Sequence, residues 1–140
     1  MRTFENGTLK ETEGGYPPHN TEGVPMHNFP APHIQKPADP SRMYILGDPR
    51  INQNPALLTF AILFYRWHNR LARRLLRDNP TWSDEDIFQA ARRLNIATLQ
   101  NIIAYEYLPA FLGEPLSSYT GYKSFTHPGI SHEFQSAAFR

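Results

Sequence analysis

The sequence predicts a mainly α chain: a proline-rich extended arm, two long helices and the start of a third. Two observations carry this. Nine of the thirteen prolines fall within the first 55 of 140 residues, about twice the usual proline rate overall. Behind them lie two stretches of apolar residues at 3-and-4 spacing, each bounded by residues that start and stop helices.

Residues 1–49 form the arm. Gly14-Gly15, Pro17-Pro18, Asn28-Phe29-Pro30, Pro32, Pro37 and Asp39-Pro40 punctuate it, and each proline removes a backbone donor and disfavours helix at the residue before it. A structureless segment this long does not read as an independent unit, so it is expected to wrap around a larger body. Residues 50–140 are read as the helical part of the same incomplete domain. Its first helix opens at Asn54-Pro55, a strong cap followed by a proline whose missing N–H costs nothing there. Leu57, Ala61, Phe64/Tyr65, His68, Leu71/Ala72 and Leu75 share one face, and Asp78-Asn79-Pro80 ends the helix after about 24 residues, roughly 36 Å. Ser83-Asp84-Glu85-Asp86 caps the second helix and places negative charge on its positive end. Its stripe runs through Ile87, Ala91, Leu94, Thr98, Ile102 and Tyr105; Pro109 is expected to break or kink it, with Gly113 as C-cap. Pro115 to Pro128 reads as loop. Ser131-His132-Glu133-Phe134 opens a third helix that runs to Arg140. Two stripes of this length cannot be covered by each other and the arm, so the chain is expected to be a fragment of a larger helical protein.

A net charge of +1 with 19% charged residues calls for neither nucleic acid nor an acidic partner on composition alone. Without cysteine there are no disulfides or thiolate metal sites in this stretch. No apolar run reaches about 18 residues, and Met1-Arg2-Thr3-Phe4-Glu5-Asn6 does not resemble a signal peptide.

Arg50 is the leading candidate for chemistry. It follows Pro49 in the turn Gly47-Asp48-Pro49-Arg50, four residues before the helix cap, where a permanently charged donor stands at the mouth of an apolar helix pair. Spacing alone still reads it more readily as an ordinary surface arginine. His68 lies on the apolar stripe and reads first as a core histidine bonded to a backbone carbonyl, with a ligand or general base as the alternative. His19, His27 and His33 are spaced too irregularly for a metal site. Arg66, Arg70, Arg73, Arg74, Arg77, Arg92 and Arg93 make the helices locally basic, which solvated faces and inter-helix ion pairs explain without nucleic acid. Asn6-Gly7-Thr8 is a glycosylation sequon, meaningful for a secreted chain.

Taken together, Gly47-Asp48-Pro49-Arg50, Arg66-Trp67-His68-Asn69-Arg70-Leu71-Ala72, Asn79-Pro80-Thr81-Trp82 and Tyr107-Leu108-Pro109 resemble the animal haem peroxidase family. The wording of Leu46 to Leu57, of Asn101 to Pro109, of Gly121-Tyr122-Lys123 and of His127-Pro128-Gly129-Ile130-Ser131 is similar to the dual-oxidase branch, in its peroxidase-like ectodomain. Arg2-Thr3-Phe4 and Gly7 look like the segment that follows that family's calcium-binding loop.

The resemblance implies the following. Arg50 corresponds to the distal-side catalytic arginine, which stabilises charge on peroxide as its O–O bond breaks. Gln53 stands where covalently linked members have a glutamate esterified to haem, and Asn54 where some carry a methionine linked to it. Haem b would therefore be held without a covalent link. Phe139-Arg140 matches the start of the run leading to the proximal histidine, and Arg140 an arginine that pairs with a haem propionate. That histidine would lie beyond Arg140, and the distal histidine and calcium loop before Met1. The implied partners are hydrogen peroxide, a small phenol such as tyrosine, the remainder of the parent chain and a maturation factor. FAD and NADPH belong to an oxidase half outside these residues. The implied location is the extracellular face of the plasma membrane or the secretory lumen, and the fragment alone is expected to be inactive. The rival class is a non-catalytic peroxidase-like interaction module.

Overall fold

The computed structural model describes residues 1–27 and 38–138. The order of elements follows the sequence reading: an arm of turns, then helices α1 (Pro55–Asp78) and α2 (Asp84–Ile102), a widened turn, and short α3 (Leu108–Leu112). Among the described residues there is no sheet. Two isolated antiparallel bridges, Arg2 with Leu9 and His19 with Tyr44, tie the arm to itself.

Both long helices start where their caps place them. Asn54 Oδ1 accepts from the amides of Ala56 and Leu57 at 2.8 and 3.3 Å, with Pro55 at the first helical position. Ser83 and Asp86 form a reciprocal capping box, which satisfies two otherwise orphaned N–H groups. The helices meet through Leu71, Ala72, Ile87 and Ala91, with Trp67, Leu75 and Leu76 packed around them. Ala72 and Ala91 are wholly buried; with only a methyl group each, they let the helix axes approach closely. The core is small, with four buried residues of which two are alanines, and burying a side chain such as Ile87 is worth about 1.5–3 kcal/mol.

Beyond Ala91 the expected stripe holds only in part. Leu94 and Tyr105 are exposed. Thr98 of that stripe does face α1, accepting from Trp67 Nε1 at 3.3 Å, and Asn95, outside it, also does, its Nδ2 donating to the Phe64 carbonyl at 3.3 Å. The pairing of the helices is therefore partly polar. Pro109 does not break the helix. The backbone stays right-handed helical through Ile103–Tyr107 with the hydrogen-bond ladder widened, so that Leu108 N–H donates to the Ile103 carbonyl. A widened turn is one way a helix accommodates a proline that lacks its own donor. Gly113 then ends α3 in a left-handed conformation (φ 80°), its N–H on the Pro109 carbonyl.

The arm is less irregular than its prolines suggest. Pro17, Asn20, Met43 and Ile45 of the arm are buried. Within it Asn20 accepts from Val24 N and donates to Val24 O, both at 2.8 Å. The Asn20 amide donates to the Met43 carbonyl and Ile45 N–H to the Pro18 carbonyl, each at 2.8 Å. Beyond α3, residues 114–138 are exposed throughout. The third helix begins after Ser131 and is widened over Phe134–Ala138, with Ser131 Oγ accepting from Phe134 N. The expected continuation through Phe139 and Arg140 lies outside the described residues, as do Asn28 to Pro37 and His33 with them. No helix among the described residues is long and apolar enough to cross a membrane.

Candidate functional site

The turn that carries Arg50 is built by Asp48. Its Oδ1 accepts from the Arg50 amide at 2.8 Å and from Nε at 3.0 Å, while Oδ2 accepts from Nη2 at 2.7 Å. The hydrogen bonds from Arg50 hold the Asp48 carboxyl down at about 2, so the pair stays charged across the physiological range. A guanidinium has five N–H donors in a rigid fork; Asp48 engages two and the other three point away from it. The Arg50 side chain is 69% exposed. It sits beside the helix pair facing solvent, and not over an apolar mouth.

Two side chains fix this turn to the arm. Asn52 accepts from Tyr44 N at 3.1 Å and donates to Tyr44 O at 3.0 Å. Gln53 donates through Nε2 to the His27 carbonyl, and His27 N–H donates to the Pro49 carbonyl at 3.1 Å. Gln53 is thus an anchor of the turn, and Asn54 is consumed as the cap of α1. Behind the turn, Gly47 and Ile51 line a cavity of about 320 Å³ together with Phe64, Tyr65, His68 and Phe88. Arg50 is not among its lining residues.

His68 and Asn69 hold the N-terminal strap. His68 is 4% exposed; its Nε2 lies 2.9 Å from the Gly7 carbonyl, and its ring packs on Phe88 at 5.2 Å. Burial pushes the imidazole below its ordinary value, so it is neutral and its hydrogen-bonded nitrogen is a donor. This is the structural role the sequence suggested. Asn69 is wholly buried. It accepts from Leu9 N at 2.7 Å and donates to Leu9 O at 3.0 Å and to Glu11 Oε2 at 2.9 Å. Tyr65 donates to the Lys10 carbonyl, and burial, with Glu11 nearby, pushes its hydroxyl up to about 12. At the other end of the strap Arg2 binds Asp84 at 2.5 Å and Glu85 at 2.6 Å and lies 3.9 Å over the Phe88 ring. Asp84 also accepts from Gly7 N at 2.6 Å. The acids at the start of α2 therefore pair with the arm, not with arginines of α1. Asn52, Asn69 and Gly7 were not singled out for these roles from the sequence; asparagines in helical or turn contexts give no signal for a partner 8 or 60 residues away.

Among the described residues no group of three or more His, Asp or Glu side chains could hold a metal ion. Arg140 lies outside the described residues. Asn6 is exposed at the tip of the strap, with φ 56°. Just after the turn, Leu57 and Phe60 on the first turns of α1 are 58% and 61% exposed.

The animal haem peroxidase family model matches residues 1–140. The chain belongs to the animal haem peroxidase family. It is 60% identical to the dual oxidase of Drosophila melanogaster over 141 residues, which is 100% of this chain and 9% of that protein. It is 49% identical to dual oxidase 1 of Caenorhabditis elegans, again over 100% of this chain and 10% of that protein. The solved structure of peroxidase A from Dictyostelium discoideum superposes with a TM-score of 0.81 at 40% identity, over 99% of this chain and 26% of that one. The chain spans about a tenth of the length of the dual oxidases it matches, and its fold is that of a peroxidase segment.

Proposed function

We propose that this chain supplies one wall of a haem peroxidase site in a dual-oxidase-type parent, with Arg50 as its peroxide-facing side chain. The observation that carries this is the Asp48 clamp, which immobilises a charged fork and leaves three donors free. The fit to haem is that of one side only. Leu57 and Phe60, at the start of α1, are exposed apolar side chains, while His68, spent on Gly7, offers no iron ligand. Gln53 and Asn54, both committed to backbone partners, favour haem b without a covalent link, and Arg140 is the proposed propionate partner. When bound, haem supplies the redox equivalents for peroxide reduction. Arg50 then donates hydrogen bonds to the developing negative charge, Asp48 keeps the fork oriented, and Asn52 and Gln53 keep the turn against the arm.

On this reading residues 1–49 and 50–140 are the arm and helical part of one incomplete domain that is inactive alone. The parent reduces hydrogen peroxide while oxidising small phenols such as tyrosine, on the extracellular face or in the secretory lumen. Calcium upstream, FAD and NADPH in an oxidase half, and a maturation factor complete that picture. The test is Arg50→Gln in the full-length parent. The rate of reaction with peroxide should fall about 100- to 1,000-fold with unchanged Soret absorbance, and acid–organic extraction should remove the wild-type haem completely. A full-length protein without haem, or an unchanged rate, would favour the non-catalytic module instead.

A further inference from the structure

The strap held by His68 and Asn69 carries a motif that peroxide chemistry leaves unused, Asn6-Gly7-Thr8. Its turn is sharp. Phe4, Asn6 and Gly7 lie at φ 61°, 56° and 67°, and asparagine is among the few side chains that accept this left-handed region. Asn6 stands exposed at the tip, and Gly7 is buried behind it. The two residues after Asn6 are fully engaged. Gly7 N–H donates to Asp84 Oδ1 at 2.6 Å, and its carbonyl lies 2.9 Å from His68 Nε2. Thr8 Oγ1 donates to the Glu5 carbonyl at 3.0 Å and lies 2.9 Å from Thr3 Oγ1. The helix groups that clamp Gly7 come 61 and 77 residues later in the chain. At a synthesis rate of about 5–20 residues per second, the motif waits about 3–15 s before those clamps exist.

We propose that Asn6 is an N-glycosylation site, modified in the secretory lumen before the strap docks and closed to the transferase afterwards. This rests on the reading that the parent passes through that lumen. Asn6 Nδ2 attacks C1 of the first sugar of a lipid-linked oligosaccharide diphosphate. The C1–O bond breaks, its electron pair leaves on the lipid diphosphate, and one amide proton passes to solvent. The transferase reads the hydroxyl two residues after its acceptor, and in the docked strap that hydroxyl is occupied by Thr3 and Glu5. Access is therefore set by the order of synthesis, not by the surface of the finished domain.

The test uses the full-length protein from a eukaryotic host, digested with trypsin and treated with peptide-N-glycosidase in heavy-oxygen water, which marks each glycosylated asparagine as labelled aspartate. The tryptic peptide Thr3–Lys10 should carry the label at Asn6. Label at other asparagines with none at Asn6 would overturn this proposal alone, and no label anywhere would overturn it together with the lumenal reading. Asn6→Asp, which keeps the left-handed tip, should remove one glycan and leave exchange of the strap amides unchanged. For the timing, protein made under tunicamycin and then folded is given purified oligosaccharyltransferase and lipid-linked donor. Transfer to it should be slower than to the free peptide Thr3–Lys10 by about tenfold or more, since the strap must first open. Equal rates would overturn the closure. Occupancy on the wild type decides the site even where the variant fails to fold.

Discussion

Replacing Asn69 by leucine keeps the side-chain volume and removes the clasp between α1 and the strap. Three hydrogen bonds go: one to the charged Glu11 carboxylate and one to each backbone group of Leu9. A bond to a charged group is worth about 1.5–3 kcal/mol and each neutral one about 1 kcal/mol, with a further cost if the Leu9 groups are stranded without water. The sum is about 3–5 kcal/mol, and at about 1.4 kcal/mol per factor of ten it corresponds to a rise of about 100- to 4,000-fold in local opening. Because Asn69 sits on α1 and its partners on the strap, the loss should fall on the strap and leave the helix pair intact. Amide hydrogen exchange followed by mass spectrometry reads this directly. Peptides covering residues 1–11 should exchange at least 100-fold faster by this reckoning, while those covering α1 and α2 stay protected. Exchange within about threefold of the wild type would refute the reasoning, and would mean that Arg2 on Asp84 and Glu85 holds the strap without Asn69.

Gly7→Ala should be similarly severe, because φ is +67° and a Cβ would lie 2.6 Å from both Ile87 Cγ2 and Phe88 N; the second is helix backbone and cannot swing aside. A loss of about 2–4 kcal/mol in denaturant unfolding is expected, and a loss under 1 kcal/mol would contradict it. Asp48, held at about 2, contributes stability that is present above the unfolded carboxylate value and is lost as pH falls through about 2. Its carboxyl resonance should titrate near there, and a midpoint near 4 would show that the Arg50 clamp does not form. His68, lowered mainly by burial, gives a pH dependence of the same sign, although here the neutral form is the one the fold holds. The unfolded chain binds the proton more readily, so its contribution is full above the ordinary histidine value of 6.5 and declines as pH falls below it. His68→Gln should flatten the slope of stability against pH between 7 and 5; an unchanged slope would assign that slope to other groups.

The helix boundaries were legible because they rest on local chemistry. Asn54-Pro55, the Ser83–Asp86 box and Gly113 each act on backbone groups within four residues, and sequence separation of that order is all a one-dimensional reading needs. The inner face of α1 was legible for the same reason, since its apolar spacing is strong. The face of α2 was legible through Ala91 and again at Thr98, which meets Trp67 of α1, but not at Asn95. Its partner, the Phe64 carbonyl, lies 31 residues away, and a polar residue at a helix contact looks like a solvent-facing one until the partner is in view. The accommodation of Pro109 by a widened turn was also hidden, because the same proline fits a break.

By itself the sequence determined the fold class, the caps and lengths of the two long helices, and, through four short motifs in order, the family. It did so because those features are local or are carried by residue identity. Tertiary structure decided the rest. It turned the helix pair into a clasp for the arm through His68, Asn69 and Arg2, partners some 60 to 80 residues apart. It also turned Arg50 from a residue at an apolar mouth into an exposed fork locked on Asp48. Which atoms a buried amide or a charged head meets depends on how distant segments are brought together, and no local spacing encodes that.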